Sequence, residues 1–161
     1  MIQKYYQSDI TSDRIDWNKI MPMDRDAGGH DQQMRGLLKD VTILGHYNTG
    51  DYQGEVATAV QFNDTHEIAI YTDSYGSCSG CDAWEGADDE AVRRMCRQLA
   101  CSAYVFKNFE DVKEFLSANQ DDIPSSMWTY DNVAVHLLEA IDESKIFIVP
   151  VKKPGRFDGI I

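Results

Sequence analysis

Four cysteines offer the most recognisable chemistry in the chain, and they come as two pairs, Cys78-Ser-Gly-Cys81 and Cys96-x4-Cys101. Zinc accepts four thiolates tetrahedrally, and the first pair has zinc-knuckle spacing. The second pair fits worse. Positions five apart on a helix point to different sides, so Cys101 serves only if the helix has ended before it. A structural zinc held by Cys78, Cys81, Cys96 and Cys101 is one reading; a protein without any cofactor is the one favoured here. A Cys-x-x-Cys ahead of a helix start also suits thiol redox chemistry, because the helix dipole favours the thiolate. Against that, Asp82, Glu85 and Asp88 oppose a nearby thiolate, and no βαβ pattern surrounds the motif. The bland reading makes Cys96 and Cys101 small buried hydrophobes and Cys78–Cys81 a tight turn packed on Trp84.

Carboxylates are the second resource. From Asp40 to Val92 the chain carries 11 acids and no Lys or Arg in 53 residues, whereas the rest has 16 acids against 15 bases. Nearly all of the net charge of −12 therefore sits in one third of the chain. The average composition would place about five bases there, and a merely solvated surface mixes signs. Such a surface could imitate a polyanion, since duplex DNA presents one charge per ~1.7 Å. The expected partner-binding carboxylates are Asp51, Glu55, Asp64, Glu67, Asp73, Asp82, Glu85, Asp88, Asp89 and Glu90, with Tyr52, Tyr75 and Trp84 as aromatic anchors. Two other readings compete. Carboxylates can simply keep a protein soluble, and acids at a helix start stabilise it locally. The cluster from Asp82 to Glu90 could also hold a hard cation, although its spacing departs from the EF-hand ladder.

Other catalytic material is sparse. His30, His46, His66 and His136 are scattered and lack His-x-x-x-His or Glu-x-x-His company. Ser77 and Ser79 lack the Gly-x-Ser-x-Gly context of a nucleophile elbow. Gly76, Gly80 and Gly86 have no nearby Lys or Arg to support a phosphate cradle. An enzyme assembled from scattered positions stays open as an alternative. The string Tyr75-Gly-Ser-Cys-Ser-Gly-Cys-Asp82 resembles one found in small uncharacterised proteins of bacteria and phages. That resemblance spans eight residues, carries no catalytic residue, and implies a phage or mobile-element setting in which small acidic proteins inhibit host defence enzymes.

The elements that must position these groups read as follows. Val41–Tyr47, Glu55–Phe62 and Glu67–Thr72 have the β-branched content and period-two alternation of strands. Short turns join them, so an antiparallel meander over 41–72 is expected. Val56, Thr58, Val60 and Phe62 should share one face, with Ile68 and Ile70 inward, so that a helix-covered sheet would bury Val56, Val60, Ile68 and Ile70 together. Ala103–Phe106 is a candidate fourth strand. Ile146–Val151 is a further strand, placed at an edge by Pro150. Helices are expected from Asp88 or Asp89 to about Ala100, from an Asn108 cap to about Ser117, and over Thr129–Glu143. Residues 1–30 are weakly patterned, and 152–161 form a loose basic tail.

The expected class is therefore α+β. One domain over 1–161 would carry an antiparallel sheet of four or five strands, covered by about three helices. No apolar run approaches the ~20 residues of a membrane span, and the start lacks the apolar centre of a secretory signal. A cytoplasmic protein with reduced thiols is expected. A pI near 4.6 disfavours direct contact with nucleic acid or anionic membranes. It favours a basic, nucleic-acid-handling protein as the partner, engaged as an anti-restriction or anti-CRISPR inhibitor would engage it.

Overall fold

A computed structural model describes residues 2–4, 38–49, 54–75, 103–118 and 132–148, with single positions at 88, 90, 91, 94, 98 and 150. Five strands form one sheet: β1 (Ile2–Lys4), β2 (Val41–Asn48), β3 (Gly54–Phe62), β4 (Ile68–Tyr75) and β5 (Tyr104–Phe106). Their spatial order is β1-β5-β4-β3-β2, and every pair is antiparallel. Among the described residues two helices follow β5, α1 (Phe109–Leu116) and α2 (Val133–Ala140), then a 3-10 turn at Glu143–Lys145. The protein is thus α+β, and the meander of β2, β3 and β4 is as expected.

The β3–β4 turn is closed by its own polar groups. Phe62 N–H donates to Glu67 O at 2.9 Å, and His66 N–H donates to Phe62 O at 2.9 Å. Thr65 N–H donates to Asp64 Oδ1 at 2.8 Å. His66 has φ of 64°, the left-handed region that side chains enter only when their surroundings require it. In β2 a bulge between Ile43 and Gly45 shifts the register against β3, and bulges bend the strand that carries them. There the chain leaving α2 crosses β2, and Asp142 N–H donates to Leu44 O at 2.8 Å.

α1 begins where its sequence says it should. Asn108 is extended (φ −153°), and its Oδ1 accepts from Asp111 N–H at 2.9 Å. Val112, Phe115 and Leu116 are buried, while Phe109 is half-buried. These pack with Val133, Ala134, Leu137 and Ile141 from around α2 onto Leu44, Ala57, Ala59, Ile68, Ile70 and Phe106 of the sheet.

Three expectations need correction. Val56 and Val60 do not share a face with Ile68 and Ile70. Ala59 pairs with Ile70 and Val60 with Ala69, so alternation sends the valines to the face away from the helices. That face is buried too: Val56, Thr58, Val60, Phe62, Ala69 and Tyr71 are all closed to solvent. Next, Ile146–Ile148 and Pro150 are not in a strand. The 3-10 turn before them redirects the chain, and β1, too short for alternation to reveal it, lies at the sheet edge instead. Finally, the described part of the last helix is Val133–Ala140, shorter than Thr129–Glu143. Asn132 before it is left-handed (φ 48°), and Ile141 after it is extended. Of the helix expected from Asp88 or Asp89, residues 90, 91, 94 and 98 are helical, and Asp88 Oδ1 accepts from Ala91 N–H at 2.8 Å. No described helix is long and apolar enough to cross a membrane.

Candidate functional site

A cleft of about 410 Å³ opens at the end of the sheet where β3 turns into β4. Three stretches of chain wall it. Gln61, His66 and Ile68 come from the hairpin, Lys107 to Glu110 and Lys113 from the start of α1, and Glu143 and Ile146–Ile148 from the segment after α2. The volume lies in the range of ligand pockets, which are apolar with a few placed polar groups.

Gln61 holds the walls together. Its side chain is buried, with 4% exposure. Oε1 accepts from Phe147 N–H at 2.7 Å, and Nε2 donates to Phe147 O at 2.9 Å and to His66 O at 3.0 Å. One side-chain amide thus pairs with the Phe147 peptide as a neighbouring strand would. The His66 ring then stacks on the Phe147 ring, with centroids 4.3 Å apart. Phe147 nevertheless stays 54% exposed and Ile148 80% exposed. On the opposite wall Lys113 Nζ meets Glu110 Oε1 at 2.7 Å and lies 5.3 Å above the Phe109 ring. That hydrogen bond raises the Lys113 pKa. Lys107 and Glu143 line the cleft from separate walls; among the described residues neither has an ion-pair partner, although the Glu143 charge also raises the Lys113 pKa.

At the far end of β3 lies a second group of titratable side chains. Glu55 is 6% exposed, and burial pushes its carboxyl up to about 7. On the adjoining strand Tyr47 stacks on His136 of α2 at 4.7 Å, and His136 Nδ1 stands 3.6 Å from Glu139 Oε2. A strongly perturbed carboxyl marks functional sites more often than chance, though structural burial perturbs pKa values too. Here it lies away from the cleft, so the two features do not reinforce each other.

The expected partner-binding acids divide between these ends. Asp64 is exposed and Glu67 half-buried at the β3–β4 turn. Asp73 pairs with Val56 near the opposite end, half-buried. Six residues of strand separate the two ends, roughly 20 Å. Glu55 departs from the expectation of an exposed charge, because the inward alternation of β3 carries it under cover with Ala57 and Ala59. Asp88 and Glu90 are exposed. Tyr75 ends β4. Asp51, Tyr52, Asp82, Trp84, Glu85, Asp89 and all four cysteines lie outside the described residues.

Reading the sequence missed the cleft. Gln61 stands in a strand pattern where its amide looks like an outward polar residue, and Phe147 belongs to an apolar run that resembles a strand. Neither signals a site until the turn brings residues 61 and 147 together. Comparison with protein-family models, curated proteins and solved structures finds no match for this chain.

Proposed function

We propose that the chain is a non-enzymatic, acidic protein-binding module that docks on a basic face of a nucleic-acid-handling protein. The observation that carries this reading is the run of 11 acids without a base between Asp40 and Val92. Exposure of Asp40, Asp64, Asp88 and Glu90 supports it, because charges in water steer an oppositely charged partner over a Debye length.

The geometry favours gripping separate basic side chains over imitating a continuous duplex. A stretch of about 20 Å of duplex carries about a dozen phosphate charges. Along the hairpin between Asp64 and Asp73, residues Val56–Phe62 and Ile68–Tyr71 are instead buried. Occlusion of a phosphate-binding groove, in the manner of an anti-restriction or anti-CRISPR inhibitor, is the finer form of the proposal and rests on the charge run alone.

The test is kinetic. A partner captured from lysate at low salt is purified and its association rate measured against salt, for the native chain and for a variant with D64N, E67Q, D73N, D88N and E90Q. Asn at 88 retains the helix cap. Association at low salt should slow by about tenfold or more and lose most of its salt dependence. Equal rates in the two proteins would remove the proposal.

A further inference from the structure

The cleft beside the β3–β4 turn carries an inference independent of the acidic run. Its apolar lining comes from Ile68, Phe109, Ile146, Phe147 and Ile148. Its charges are two of each sign, since Lys107 and Lys113 face the same space as Glu110 and Glu143. Lys113 meets Glu110 at 2.7 Å and also feels the charge of Glu143. Among the described residues, Lys107 on the wall before α1 and Glu143 on the wall after α2 have no partner within ion-pair distance. A ligand that complements this arrangement has an apolar body, one carboxylate and one ammonium. A simple anion or cation would meet a like charge; a neutral apolar ligand would leave both charges to water.

We infer that the cleft binds a zwitterion with an apolar or aromatic side chain, an α-amino acid or a short peptide. Its carboxylate meets Lys107, its ammonium meets Glu143, and its side chain lies against Phe147 and Phe109. The cleft volume of about 410 Å³ lies in the range of small-ligand pockets. The site is also preformed. The Gln61 amide pins the Phe147 peptide on both sides, and His66, held in the left-handed region, backs the Phe147 ring. A ring held this way stays open as a stacking surface.

Calorimetric titration with L-phenylalanine tests this, using L-phenylalaninamide, which lacks the carboxylate, and N-acetyl-L-phenylalanine, which lacks the ammonium. Saturable binding is expected, weakened about tenfold by loss of either charged group. Lys107→Met should weaken L-phenylalanine by a similar factor and leave the amide unchanged. Glu143→Gln should weaken L-phenylalanine and leave the N-acetyl compound unchanged, completing a cycle that assigns each contact. Both side chains are exposed, so both variants should keep the native thermal midpoint. A Phe-Phe dipeptide separates the two sources: tighter binding than the amino acid identifies a peptide site, and weaker binding a free amino acid. Absence of saturable binding up to about 10 mM, or binding that ignores both substitutions, overturns the inference. Neither result bears on the acidic docking reading, which is measured with a different probe on different residues.

Discussion

Burying the Glu55 carboxyl costs stability as the pH rises from its unfolded pKa to its folded one. Its folded-state pKa is raised from 4.5 to about 7 by desolvation. Between those values the folded chain holds a proton that the unfolded chain has released. The full contribution is therefore present below about pH 4.5 and is lost as pH rises through about 7. The loss amounts to roughly 3 kcal/mol. Urea unfolding at a series of pH values should show this decline, and Glu55→Gln should flatten it and raise stability at pH 8. A second residue-scale prediction concerns Gly45. A Cβ built there would lie 2.8 Å from both Ala140 O and Ile141 Cα. Both are backbone atoms that cannot rotate away, so Gly45→Ala should destabilise by about 1–3 kcal/mol in the same assay.

Among the elements, the segment after α2 is tied down by side chains. Ile146–Ile148 is not in a strand, and it is held to the hairpin by the Gln61 amide and by the His66 ring stacked on Phe147. Gln61→Glu keeps the shape but exchanges the donor that faces His66 O and Phe147 O for an acceptor. It should cost about 2–4 kcal/mol, given a buried charge facing carbonyls, and the Phe147 amide should exchange with solvent faster in hydrogen-exchange measurements. An unchanged Phe147 exchange rate would mean that the segment is held by something other than this amide. Helix α1 shows the opposite situation. Its Asn108 cap and the spacing of Val112, Phe115 and Leu116 specify it locally, which is why its start and buried face could be read directly from the chain.

For the molecule as a whole, both faces of the sheet are buried, and on one of them α1 and α2 pack over the strands. Leu137 is fully buried between α2 and the strands. Leu137→Ala should cost about 2–5 kcal/mol, the range for a leucine replaced by alanine in a close-packed core. The thermal midpoint should fall while far-ultraviolet dichroism of the folded state is retained. The same packing limits where charge can go. With β3 buried along its whole length, carboxylates at the hairpin reach water only at its two ends. A docking partner therefore meets separated groups there instead of an even band.

By itself, the sequence determined the α+β class, the β2–β3–β4 meander and the capped start of α1. All three depend on interactions between near neighbours: alternation over a few residues, short turns, an Asn followed by an apolar stripe at helical spacing. The tertiary structure alone decided that the two hairpin valines and isoleucines face opposite ways, since pairing register is a property of two strands and not of either one. It decided that Glu55 is covered, because its exposure depends on what packs over the end of β3. It also made the cleft, whose key contact joins residues 61 and 147. No local pattern encodes that contact, because an amide that pairs with a distant peptide looks in the chain like any other polar side chain.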